Sequence, residues 1–197
     1  MKFINLTIFL CVVFSSCGKV NRTASDIVPA YKLIVTFSER IKTKTDLILY
    51  CYGINQDLPK DYQYKNVVAN FSADYKLYKT QKDTVSLEHA RELIVSLAES
   101  LLEEINSNQN VRPDLEVHPF TTDLLAVSIR FEDENQIDLG QGVSGVYFRK
   151  GKIQYDRYDI SEYTGRYPAI GKHFTIHQET YAEALDIVQK QGALAHF

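Results

Sequence analysis

Val143-Ser-Gly-Val-Tyr-Phe-Arg149, then Lys150-Gly151, then Lys152-Ile-Gln-Tyr-Asp-Arg-Tyr-Asp159 reads as two strands joined by a two-residue turn. Gly151 supplies the positive φ that such a turn requires. Folding the segment about it brings Phe148 opposite Ile153 and Val146 opposite Tyr155. Apolar residues then meet on one face, and a slip of one residue would turn every side chain over. An antiparallel sheet is therefore the expected frame.

The segments upstream fit that frame. Leu124 to Phe131 alternates, with Leu125, Val127, Ile129 and Phe131 inward. Asn66 to Tyr78 alternates over a longer span: Val67, Ala69, Phe71, Ala73, Tyr75 and Leu77 face one way. Asn66, Asn70, Ser72, Asp74 and Lys76 face the other, which predicts one wet face. Asp46 to Ile54 is apolar on both sides and predicts a central, doubly covered strand. Turn residues from Asn55 to Asp61, including Pro59, separate these last two strands and predict a hairpin.

Three segments have helical spacing instead. Ser86 to Asn106 carries a stripe of Leu87, Ala90, Leu93, Ile94, Leu97, Ala98, Leu101 and Ile105, with Ser86 as N-cap. Glu88, Glu92, Glu99 and Glu103 lie on its outer side and read as a solvated face. A helix from Asp26, its expected N-cap, is spaced by Ile27, Ala30, Ile34, Phe37 and Ile41. Glu179 to Gln191 closes the chain as a helix with Gly192 as its stop, after an irregular stretch from Ser161 to His177. The predicted order is α-β-β-α-β-β-β-α. That is an α+β fold: a single two-layer domain over residues 26–197, with an antiparallel sheet of about five strands and three helices.

The beginning of the chain is of another kind. Lys2 precedes an apolar run from Phe3 to Val13, and Phe14-Ser15-Ser16-Cys17-Gly18 follows. A basic start, a short apolar middle and small residues make a secretory signal. Phe3 to Val13 is far short of the ~20 apolar residues that span a bilayer. Ending in cysteine, the segment resembles the lipobox of bacterial lipoproteins, with Phe14 in place of the usual aliphatic residue. The resemblance covers residues 1–18. It implies cleavage before Cys17, so that 1–16 are a signal peptide. It also implies diacylglycerol on the Cys17 sulfur and acylation of its amine. Residues 17–25 then form a lipidated cysteine and polar tether, whose eight residues from Gly18 reach at most ~28 Å. The implied location is the cell membrane or outer membrane, with the domain on the periplasmic or extracellular side. Gly18 in place of Asp favours the outer membrane.

Charge narrows the partners. The chain holds 22 basic and 25 acidic residues, and losing Lys2 leaves 21 against 25. A mildly acidic domain is not the basic surface that nucleic acid requires. With Cys11 removed and Cys17 lipidated, Cys51 is the remaining cysteine, and no disulfide is expected within the mature chain. Inside an apolar strand, Cys51 reads as a small hydrophobe.

The chemical motifs are weak. Gly140-Gln-Gly-Val-Ser-Gly145 spells G-x-G-x-x-G, but a strand follows where dinucleotide chemistry needs a helix N-terminus. His173 and His177 stand about 13 Å apart on the extended chain that Phe174-Thr-Ile176 favours, too far to share a metal. Glu132-Asp133-Glu134-Asn135 with Asp138 lacks EF-hand spacing and reads as a solvated loop. No metal or cofactor is expected, and no catalytic motif is legible. The candidate binding residues are Tyr155, Arg157, Tyr158, Tyr163, Arg166 and Tyr167, which alternate aromatic area with polar reach. They suit an envelope protein or a glycan. The function expected is binding or scaffolding. The alternatives are a hydrolase of envelope polymers, drawing on His118, Glu132, Asp133, His173 and His177, and an inhibitor or immunity-type protein.

Overall fold

The computed structural model describes residues 29–56, 68–79, 84–133, 142–159 and 172–197, with backbone alone at 55, 56, 159, 172 and 173. It is an α+β domain with three helices and one six-stranded sheet among the described residues. The helices are α1 (Pro29–Thr45), α2 (Leu87–Ser107) and α3 (Tyr181–Lys190). The strands are β1 (Ile48–Gln56), β2 (Val68–Tyr78), β3 (Leu125–Glu132), β4 (Gly145–Arg149), β5 (Lys152–Asp159) and β6 (Lys172–Thr180).

The hairpin that organises the sequence forms in the expected register. Phe148 faces Ile153 and Val146 faces Tyr155. Lys150 and Gly151 have φ of 51° and 69°, the positive values of a turn whose twist matches that of its strands. Helix α2 begins as read, with the Ser86 hydroxyl accepting from the His89 amide. Helix α3 ends at Gly192, φ 63°. The Gly192 and Ala193 amides donate back to the Gln189 and Val188 carbonyls, closing the helix end.

Several expectations are corrected. The sheet is mixed rather than antiparallel, because β2 and β3 pair in parallel from Phe71–Leu125 to Tyr78–Glu132. The chain between them runs through α2, and such a crossover returns it to the same end of the sheet. The strand order follows the sequence from β1 to β6, so β1 is an edge strand and not a central one. Its apolar outer residue Tyr50 is 45% exposed. The sheet has six strands rather than five, since 172–180 is strand β6. Glu179 therefore belongs to β6, and α3 starts after Thr180, which exchanges capping bonds with Glu183. Finally, Glu132 and Asp133 are buried at the end of β3 instead of lying in a solvated loop.

One face of the sheet carries the core. Phe71, Ala73 and Tyr75 of β2, Val127 and Ile129 of β3, Val146 and Phe148 of β4 and Ile153 and Tyr155 of β5 cluster with Phe37 and Ile41 of α1, Ile94 and Leu101 of α2 and Val188 of α3. The Ser38 hydroxyl meets that of Tyr75 at 2.9 Å, and the Phe148 ring packs 4.8 Å from Tyr181. The chain's last residues lie along α2, with the amides of Ala195 and Phe197 donating to Ser96 and Ser100. Cys51 is disulfide-bonded, not a free thiol, and its partner is outside the described residues.

Candidate functional site

Strand alternation divides the predicted binding residues between two faces. Tyr155 points to the helices and is fully buried. Its hydroxyl donates to Glu179 Oε1, and Arg91 Nε donates to the same oxygen at 2.8 Å. Arg91 and Glu179 are themselves buried, with side chains 8% and 6% exposed. Tyr155 thus ties β5 and β6 to α2 and offers no surface to a partner. Arg157 is exposed, its Nε donating to the Gly142 carbonyl at 3.3 Å. Tyr158 is half-buried, with its backbone amide on the Ser144 hydroxyl. Cys17, Tyr163, Arg166 and Tyr167 lie outside the described residues.

Burial drives the hydroxyls of three core tyrosines far above their ordinary value of 10. For Tyr155 and Tyr181 the carboxylates of Glu179 and Glu99 add to the effect. For Tyr75 the Ser38 hydrogen bond opposes it and Asp74 adds to it. Glu99, which reads from sequence as part of a solvated row, is therefore a partner of α3. The fold holds these tyrosines protonated, whereas the unfolded chain releases their protons near pH 10. Their contribution is complete below about pH 10 and is lost as pH rises beyond it. Urea midpoints should stay level up to about pH 9 and then fall steeply. Tyr75→Phe should make that fall shallower; an unchanged slope would exclude Tyr75 as a contributor.

No described helix packs on the opposite sheet face. Cross-strand pairing there sets out a continuous row over five strands: Asp74, Ser128, Tyr147, Gln154 and Gln178. At ~4.8 Å between strands the row is ~19 Å long. Its members are ordered before any ligand arrives. Ser128 donates to Asp74 Oδ1 at 2.5 Å, Gln178 donates to Gln154 Oε1 at 3.0 Å, and Gln154 donates to Asp156 Oδ1 at 2.9 Å. A parallel row beside it contains Ser72, Ala126, Arg149, Lys152 and Thr180. Tyr147 lies over Gly145, where an added Cβ would come within 2.9 Å of the tyrosine oxygen. The missing side chain lets the ring lie against the sheet.

Two grooves, of 820 and 550 Å³, follow these rows and share Tyr147 and Arg149. The larger reaches Lys152, Gln154, Asp156 and Gln178; the smaller reaches Asp74, Asp123 and Ser128. No family model, curated protein or solved structure matches the chain. The grooves are thus read from their own chemistry: the Tyr147 ring, planar amides, carboxylates and exposed cations, carried mostly on strands. Sequence alternation contains the signal. Tyr147, Arg149, Lys152 and Gln154 are the hairpin positions between its apolar ones.

The residues proposed for hydrolysis do not converge among the described ones. His118 precedes Phe120, whose ring packs on Phe71 at the start of the β2–β3 pairing. Glu132 is at the far end of that pairing, against Lys76, and His177 faces Glu179 on β6. Neither groove is lined by His118, Glu132 or His177. No cluster of three metal-ligating side chains occurs among the described residues.

Proposed function

We propose that this chain is a lipid-anchored cell-envelope protein whose domain binds an envelope component through the sheet face opposite the described helices. The observation that carries the binding reading is the pair of grooves meeting at Tyr147 and Arg149. They are concave, laid on regular strands and lined by preordered polar groups, as ligand sites generally are. The anchor rests on the lipobox-like segment ending at Cys17 and on the short tether after it. Among the described residues no helix is long and apolar enough to cross a membrane. With two or more acyl chains, each buried CH₂ adding about 0.8 kcal/mol, the domain stays at its membrane.

Purified full-length protein in detergent should co-sediment with isolated envelope material. Tyr147→Ala and Gln154→Ala should reduce that binding, and Glu92→Ala on the outer side of α2 should not. Equal binding by all the variants would contradict the assignment to this face. The anchor has a separate test, because a sulfur joined to Cys51 cannot also carry a thioether lipid. Membrane-extracted protein should show diacylglycerol on Cys17 by mass, and Cys17→Ser should abolish fatty-acid labelling. A Cys17–Cys51 disulfide in that material would contradict the lipid reading.

A further inference from the structure

The hairpin tip between β4 and β5 carries three cations in four residues: Arg149, Lys150 and Lys152. Arg149 and Lys152 are directly opposed across the two strands. Like charges in that relation destabilise a sheet, where an opposite charge would stabilise it. All three are exposed, and among the described residues none makes an ion pair or a side-chain hydrogen bond. The domain as a whole is acidic, so this concentration of positive charge is local. It is also part of the grooves: Arg149 lines both, Lys152 the larger and Lys150 the smaller.

The geometry points to a linear acidic glycan as the ligand, lying across the strands along the two rows; this rests on the sheet face being the binding surface. Each row would read one feature of such a chain. Gln154 and Gln178 present planar donors and acceptors suited to adjacent hydroxyls, and the buried Asp156 carboxylate fixes the Gln154 amide. The Tyr147 ring, held against the sheet by Gly145, offers a flat apolar patch for a sugar ring. Arg149 and Lys152, one row away, meet the carboxylates, and arginine does so with two parallel hydrogen bonds. A carboxylate between the two cations also removes their mutual repulsion, so binding relieves a cost already present in the free protein. The ~19 Å row fits an extended polymer crossing several strands rather than a single small molecule.

The test is calorimetric titration of the full-length protein in detergent with hexagalacturonate, the neutral chain cellohexaose and phosphatidylglycerol vesicles. Hexagalacturonate should bind, and cellohexaose should bind at least about tenfold more weakly, the difference made by a hydrogen bond between charged groups. R149Q/K152Q should weaken hexagalacturonate by a similar factor with an unchanged melting temperature. R149K/K152R, which keeps both charges, should restore most of the binding. Raising salt from 0.05 to 0.5 M should weaken the wild type more than the double glutamine variant. Equal affinity for cellohexaose would overturn the acidic class, and so would vesicle binding tighter than hexagalacturonate binding and lost in R149Q/K152Q. Absence of hexagalacturonate binding while envelope co-sedimentation persists would overturn the glycan alone. Loss of both would overturn the sheet-face reading with it.

Discussion

Glu179→Ala should destabilise the domain by about 3–5 kcal/mol, the usual cost of removing one partner from a buried ion pair. The substitution leaves the Arg91 guanidinium, 8% exposed, without its carboxylate, and leaves the Tyr155 hydroxyl without its acceptor. For a domain of this size each kcal/mol moves the melting temperature by ~2–4 °C, so a fall of roughly 6–20 °C is expected. Tyr155→Phe removes the hydroxyl and keeps the ion pair, so it should cost about 1 kcal/mol. A melting temperature for Glu179→Ala no lower than that of Tyr155→Phe would show that the ion pair adds nothing. The consequence reaches the proposed binding face, because Glu179 is adjacent in β6 to Gln178, which ends the polar row.

Lys76→Met should have an effect of similar size on the other side of the sheet. Lys76 Nζ is 2.9 Å from Glu132 Oε2, and the two side chains are 8% and 5% exposed. That oxygen has no hydrogen-bond partner, so its compensation is the nearby charge. Arg130 remains 3.6 Å from the other oxygen, which places the expected loss near the lower end of about 3–5 kcal/mol. Nζ also stands 4.1 Å from the Tyr50 ring centre, and methionine brings no charge to replace that attraction. In Lys76→Met with Glu132→Leu the isolated charge is gone, and stability should return close to the wild-type value. Urea unfolding of both variants decides the matter: a double variant as unstable as the single one would mean that packing, and not the ion pair, sets the cost.

These two ion pairs also mark where the sequence stops being legible. The hairpin at 143–159 could be read because its turn and its alternation agree, and α2 because its stripe and its Ser86 cap agree. Lys76 shows the limit: alternation places it correctly opposite the core but does not reveal that Tyr50, Arg130 and Glu132 gather around it from three other positions. The parallel β2–β3 pairing was hidden for a related reason. Hydrophobic alternation is the same whether a strand's neighbour runs with it or against it, and the direction is set by the crossover through α2. Strand β6 was hidden by its exposure. Phe174 and Ile176 are 46% and 40% exposed at the sheet edge, so no inward row announces a strand. The proposed binding face is legible in part, since Tyr147, Arg149, Lys152 and Gln154 are adjacent on one side of the hairpin. Their continuation into Asp74, Ser128 and Gln178 depends on strand order, which a sequence read in one dimension does not contain.

Hydrogen exchange of the full-length protein, with and without isolated envelope polymer, maps the proposed binding face. Exchange should slow in peptides covering residues 142–159 and 172–180, with residues 87–107 of α2 unchanged. Protection confined to 87–107, or equal exchange throughout with the polymer bound, would contradict it.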